Sequence, residues 1–195
     1  MRVDRLRTAR RVDLSDGGLE TYMIFDKGFG LLCFSAAVLL QTEDGRAELT
    51  AHIERYADLA RKAGRGFVMD LPTWCAGIAW AKPLGLETSE VLAINQRAGA
   101  FMGAIRDRLE TAGLPIVLNR LVGRSGDACA QDQMLGAGEA QQLHARQIDA
   151  LAKASVDMVS AMTLTHAAKA AGIARAARAA AFPPATPMSC GATDV

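Results

Sequence analysis

Cysteine is scarce and poorly spaced for chemistry: Cys33, Cys75, Cys129 and Cys190 stand far apart with no Cys-x-x-Cys pair, so neither a zinc ribbon nor a redox dithiol is written here. The four are expected as reduced thiols packed like small apolar groups. No apolar run approaches the roughly 18 residues that a membrane-spanning helix needs, and no basic segment followed by an apolar one opens the chain. A cytoplasmic protein with no membrane partner is expected. Charge of one sign is missing too. Twenty-two Lys and Arg against 21 Asp and Glu leave a net charge of +1, which gives nucleic acid no hold. The local exception is Arg2, Arg5, Arg7, Arg10 and Arg11. Asp4 and Asp13 interrupt that run, so residues 1–11 read as a solvated lead-in and not as an acid-poor transit peptide.

What is present is ordinary for a soluble domain: 195 residues, 50% hydrophobic and 22% charged, enough for one core. The chain is organised around Asp16-Gly17-Gly18-Leu19-Glu20-Thr21, which follows a short apolar run at Val12 and Leu14. Two glycines after a carboxylate let the backbone turn sharply and approach a ligand closely. Asp16 then sits at the carboxyl end of a strand, where α/β sheets and barrels place their chemistry.

Strand and helix signals alternate from there. Gly30 to Leu40 is apolar throughout and reads either as a buried helix or as irregular core. Arg46 to Ala63 carries Leu49, Ile53, Tyr56 and Ala60 at helical spacing, with Gly64 closing the helix and His52 on the charged, solvated face. Gly66 to Leu71 is a second strand with Asp70 at its carboxyl end, followed by Pro72, Thr73 and Trp74. Thr88 or Ser89 is expected to cap a helix running to about Ala112, with Leu92, Ala98, Phe101, Ile105 and Leu109 facing inward. Pro115 to Asn119 is a third strand, with Gly123 to Asp127 forming a glycine-bearing loop after it. Glu139 to Ala154 is a helix with Leu143, Ile148 and Leu151 inward, and His144 reads as packed or capping. Val156 to Met162 is a fourth strand, and an alanine-rich helix from Thr165 to Ala181 has His166 at its start. Four strand-helix units in a row argue for parallel pairing, because parallel neighbours need crossovers of this length.

These motifs, in order, resemble the homocysteine S-methyltransferase family. The residues that carry the likeness are Asp16 to Thr21, Pro72-Thr73-Trp74, Gly123 with Gly126-Asp127, His144 with Gln147, and Val156 to Ala161. The resemblance runs from about Leu14 to Phe182. It implies a parallel (β/α)8 TIM-type barrel, with residues 12–182 as the N-terminal part of a homocysteine-binding domain. It also implies a reaction of methionine biosynthesis: methyl transfer from S-methylmethionine, betaine or a folate to the thiol of homocysteine, both small-molecule partners. By the resemblance, Asp16, Gly17, Gly18 and Thr73 are substrate-binding; a structural turn carboxylate is the other reading of Asp16. Trp74 and Trp80 are expected to pack the loop against the barrel top.

The family's cofactor is zinc held by three cysteines. A thiol with a pKa of about 8.5 is mostly protonated at neutral pH, and coordination converts it to the thiolate that attacks the methyl carbon. None of the four cysteines here stands where the family has those ligands, so no catalytic or metal residue is assigned and no zinc is expected on this chain. Lys169 also stands where the family tends to have glutamate, and Cys75 where it tends to have arginine.

Strand centres near Leu14, Val68, Val117 and Met158 recur about every 48 residues, so eight units require roughly 300 residues or more. About four are present. Pro183, Pro184 and Pro187 stand where a fifth strand must donate N–H groups, and residues 183–195 read as an aberrant tail beyond a truncated or frame-shifted barrel. An inactive methyltransferase-like protein is one expectation. The alternative is a non-catalytic half-barrel that associates through its open strand edges or weakly binds a small amino acid.

Overall fold

A computed structural model of the chain describes residues 12–123, 135–152, 156–164 and 166–182. Residues 1–11, the loop from Arg124 through Asp127 and Cys129, Thr165, Cys190 and the 183–195 tail lie outside the described residues.

Four strands form one sheet in the order β1-β2-β3-β4: β1 (Leu14–Ser15), β2 (Phe67–Asp70), β3 (Ile116–Val122) and β4 (Met158–Ala161). Every pairing is parallel, as the alternation of strand and helix predicts. Helices α1 (Glu43–Lys62), α2 (Thr88–Leu109), α3 (Ala137–Ala152) and α4 (Ala167–Ala179) follow the strands one for one. The α/β class is therefore observed, with a four-stranded parallel sheet among the described residues.

Register sorts the side chains. Leu14 pairs with Phe67 and Phe67 with Ile116, so Phe67, Met69, Ile116 and Leu118 share the face that meets the helices. There they pack with Leu49, Ile53, Ala98, Met102 and Ile105 in one buried cluster. Each such side chain contributes about 1.5–3 kcal/mol by leaving water, and Leu118→Ala would cost about 2–5 kcal/mol because the site cannot fully collapse. A second cluster joins Val122, Ile148, Val159, Ala161 and Ile173 between β4, α3 and α4. Val68, Val117 and Met158 occupy the opposite, inner face.

Local chemistry sets the helix ends. Thr42 caps α1 by accepting the Gly45 N–H at 3.1 Å, which starts the helix three residues before the expected Arg46; Glu43 and Asp44 in the first turn and Arg61 and Lys62 in the last complement its dipole. Gly64, at φ 61°, closes it. The expected caps of α2, Thr88 and Ser89, are not the caps. Glu87 holds that place in a reciprocal box, its own N–H donating to Glu90 Oε2 at 2.7 Å. Its inner face is also turned from the expected one: Val91, Ile94, Ala98, Met102 and Ile105 are buried, while Leu92, Phe101 and Leu109 are only partly covered. Both stripes are apolar, and contact with the sheet decides between them. Gly30 to Leu40 is irregular, with two 3-10 segments: Ala36–Gln41 enters the core through Ala36, Ala37, Leu39 and Leu40, whereas Leu32–Phe34 leaves Leu32 and Phe34 exposed.

Candidate functional site

The carboxyl ends of β1, β2, β3 and β4 converge on a cavity of about 250 Å³ lined by Asp16, Glu20, Asp70, Trp74, Leu121 and Thr163, with Gly17, Gly18 and Met162 completing the mouth. Asp16 ends β1 and takes the place of the next ladder partner: its Oδ1 accepts the Asp70 N–H at 3.1 Å. Gly18 then turns the chain at φ 63°, a conformation strained for any residue with a Cβ. Gly17 faces open space: nothing lies within 4 Å of where its Cβ would project. The chain next winds into a short helical turn at Leu19–Thr21 that widens into a π turn at Tyr22–Asp26.

Three carboxylates share this mouth. Burial raises Asp70 well above the usual carboxylate range, and the charge of Asp16 adds to the shift. The Asn119 amide, donating to Asp70 Oδ1 at 2.6 Å, opposes it. Glu20 is raised by burial first; its backbone hydrogen bond pulls the other way, and the Asp16 charge pushes it further up. A site that holds acidic groups close together and partly desolvated favours a cation that restores the balance.

Of the residues expected to bind substrate, the structure brings Asp16, Gly17 and Gly18 together on the cavity wall. Thr73 is fully buried, and its hydroxyl donates to the Leu121 carbonyl at 2.8 Å. It ties the loop after β2 to the end of β3. The same loop is held by Gln147, whose Nε2 donates to the Thr73 carbonyl at 3.1 Å and to Asn95 Oδ1 at 3.2 Å. Asn95 in turn donates to the carbonyl of Ala76 at 2.7 Å. Trp80 is buried in the loop. Trp74 packs and also lines the cavity: its Nε1 donates to Thr163 Oγ1 at 2.9 Å, and Gly123 lies so close to the indole that a Cβ there would collide with it.

His52 departs from expectation. It is 2% exposed, not solvated, with its ring between Tyr22 and Tyr56 at centroid distances of 5.5 and 4.9 Å and its Nε2 3.7 Å from Asp16 Oδ2. The reason lies in the helix period. Position 52 follows Leu49 by three and precedes Tyr56 by four, which puts it on the buried stripe despite its charged neighbours. His144 is buried as expected, and burial, with the Lys169 charge second, pulls it down to about 4. His166 stands at the start of α4, its Nε2 3.0 Å from the Leu135 carbonyl.

Glu20, Asp70, His52 and Thr163 are the site residues that motif reading passed over. Asp70 was visible as a polar residue closing an apolar strand. Glu20 lies inside the Asp16–Thr21 motif, whereas Thr163 reaches the mouth, and His52 the back of Asp16, only through tertiary packing.

Cys33 lies on the 3-10 turn Leu32–Phe34 and Cys75 is buried; neither lines the cavity. Among the described residues no three His, Cys, Asp or Glu side chains converge on a metal position. The described thiols therefore do not fit a zinc thiolate centre. Among the described residues no helix is long and apolar enough to cross a membrane.

The family model described as homocysteine S-methyltransferase matches residues 16–193. Among solved structures, the oxidized form of the homocysteine methyltransferase MmuM from Escherichia coli superposes with a TM-score of 0.72 at 18% identity, over 92% of this chain and 62% of that one. Its metallated form gives 0.71 at 17% identity, over 92% and 63%. The chain thus spans less than two thirds of the length of those structures. No curated protein sequence matches it.

Proposed function

The chain belongs to the homocysteine S-methyltransferase family, and from that premise we propose that its mouth binds the amino-acid end of homocysteine for methyl transfer to the thiol. The observation that carries this reading is the set of carboxylates Asp16, Glu20 and Asp70 around a cavity of about 250 Å³, a volume suited to one amino acid. Asp16 takes the ammonium group, Gly17 and Gly18 let the ligand lie against the backbone, and Thr73 acts from behind the wall by holding the end of β3.

In the transfer, the sulfur of homocysteine, its proton released to solvent, attacks the methyl carbon of the donor. A carbon–sulfur bond forms there while the bond from that carbon to the donor's own sulfur or nitrogen breaks, its electron pair staying with the donor. The acidic wall and the Trp74 face favour a cationic donor of the S-methylmethionine or betaine type over an anionic folate. In the family zinc supplies the thiolate. On this reading the mouth recognises the amino acid, and no thiol among the described residues lines it.

Calorimetry with L-homocysteine and with 4-mercaptobutyrate, its analogue without the amino group, tests this. Homocysteine should bind at least about 10-fold more tightly, the effect of one charge-assisted contact; equal affinities would overturn the reading. A methyl-transfer assay with each donor class and added zinc tests the catalytic half.

A second reading is a non-catalytic half-barrel that associates. It is favoured by β1 and β4, each of which has a single strand neighbour among the described residues and so offers an unpaired edge. Light scattering coupled to size exclusion separates the two: a monomer that turns over would exclude it.

A further inference from the structure

Asp16 is held from two sides, and the second has no part in the reading so far. Its Oδ1 is fixed by the Asp70 N–H, while Oδ2 faces His52 Nε2 at 3.7 Å, with both side chains 2% exposed. On the far side of the ring, Arg55 Nη2 lies 3.4 Å from His52 Nδ1. A guanidinium can only donate, so this contact favours Nδ1 as the accepting nitrogen and a ring proton on Nε2, the buried atom that faces the carboxylate and has no hydrogen-bond partner of its own among the described residues. Arg55 is itself fixed, its guanidinium 4.3 Å over the Tyr22 ring. Tyr56, one turn on from His52, donates its hydroxyl to the Gly17 carbonyl at 3.0 Å. One helix face thus braces both the carboxylate and the glycine turn beside it.

We propose that His52 is a positioning residue for Asp16, with Arg55 setting its tautomer so that an Nε2–H points at the carboxylate that takes a primary ammonium group. The ammonium part rests on the amino-acid reading above; the tautomer does not. With Oδ1 bound to backbone and Oδ2 facing the ring at 3.7 Å, longer than a hydrogen bond but close enough for a charge–dipole attraction between buried groups, the carboxylate is kept from swinging out of the mouth. His52 does not line the cavity in which the ligand is placed, so it acts through Asp16.

The test has two arms. In the ¹⁵N-labelled full chain, two-bond ¹H–¹⁵N spectra report the tautomer of each of the three histidines, with His52→Gln assigning the signal. The Nε2–H form should dominate, its Nε2 resonance should move in Asp16→Asn, and the exposed change Arg55→Met should raise the Nδ1–H population. A dominant Nδ1–H form, or a ring signal indifferent to Asp16→Asn, would overturn the proposal. The second arm measures L-homocysteine affinity. His52→Ala should weaken it about 10-fold, while His52→Gln, whose amide restores a donor near Nε2, should return it to within about 3-fold of the parent chain. Affinity unchanged in His52→Ala, or equally weak in both variants, would also overturn it. If the parent chain binds no homocysteine, the amino-acid reading fails, and the ring spectra still decide whether His52 faces Asp16.

Discussion

The mouth between β1 and β2 and the layer between β3, β4 and α3 both bury charge, but they do so in opposite ways. At the mouth the charged groups that line the cavity are acids, and two of the three are met by a donor from a neighbouring strand: the Asp70 N–H on Asp16 and the Asn119 amide on Asp70. They open onto a cavity. Behind β3 the buried groups are bases. Arg120 is 0% exposed, gives one bond to the Ile148 carbonyl at 2.5 Å and lies 4.8 Å from the Phe182 ring, while its Nε and Nη2 have no hydrogen-bond partner among the described residues. Burial lowers it to about 9, against the attraction of Asp149. His144 and Lys169 are buried in the same layer. Charge facing a cavity can be balanced by a ligand; charge enclosed by helices and aromatic carbon weighs on the fold instead.

The sharpest way to break that contrast is pH. Unfolded His144 gains a proton below about 6.5, whereas the buried ring resists until about 4. Between those values the unfolded state binds more protons, so stability is complete above pH 6.5 and falls as pH drops through the window, by up to about 3 kcal/mol. Urea unfolding at pH 7 and pH 4.5 measures it, and His144→Leu should flatten the difference. Next is Asp16→Asn, expected to weaken homocysteine binding about 10- to 100-fold while leaving stability unchanged or higher, because it removes the charge that raises Asp70 and Glu20. Parallel loss of binding and stability would place Asp16 with the structural charges. Arg120→Met, which keeps the length and removes the enclosed charge, should raise stability by about 1–2 kcal/mol; a loss would mean that the Ile148 carbonyl and Asp149 outweigh the burial. The smallest effect is Gly17→Ala. Its Cβ meets open space, so stability should stay within about 0.5 kcal/mol, while affinity falls a few-fold if ligand occupies that space.

These regions were not equally legible beforehand. Strands such as Phe67–Asp70 announce themselves because apolar runs ended by a polar residue and a proline have few other readings. Asp16 stands out because two glycines follow it. His52 was misplaced because its neighbours Glu54 and Arg55 suggest a wet surface, although its spacing from Leu49 and Tyr56 already placed it on the inner stripe. The inner face of α2 was misjudged for a different reason: Val91 and Leu92 are equally apolar, and only the shape of the sheet selects one. Arg120 lies beyond the expected end of β3 at Asn119, and a strand that ends three residues later, at Val122, carries its charge into the core.

The indole of Trp74 rests on Gly123, donates to Thr163 and forms part of the cavity wall. The chain has one other tryptophan, Trp80, shut away from solvent. The molecule therefore carries its own optical gauge: an amino acid or onium compound entering the mouth displaces water from the Trp74 ring and changes its emission, while Trp80 supplies a steady background. Replacing Trp80 with Phe would leave a single reporter, and occupancy could then be followed by fluorescence without a label and without turnover.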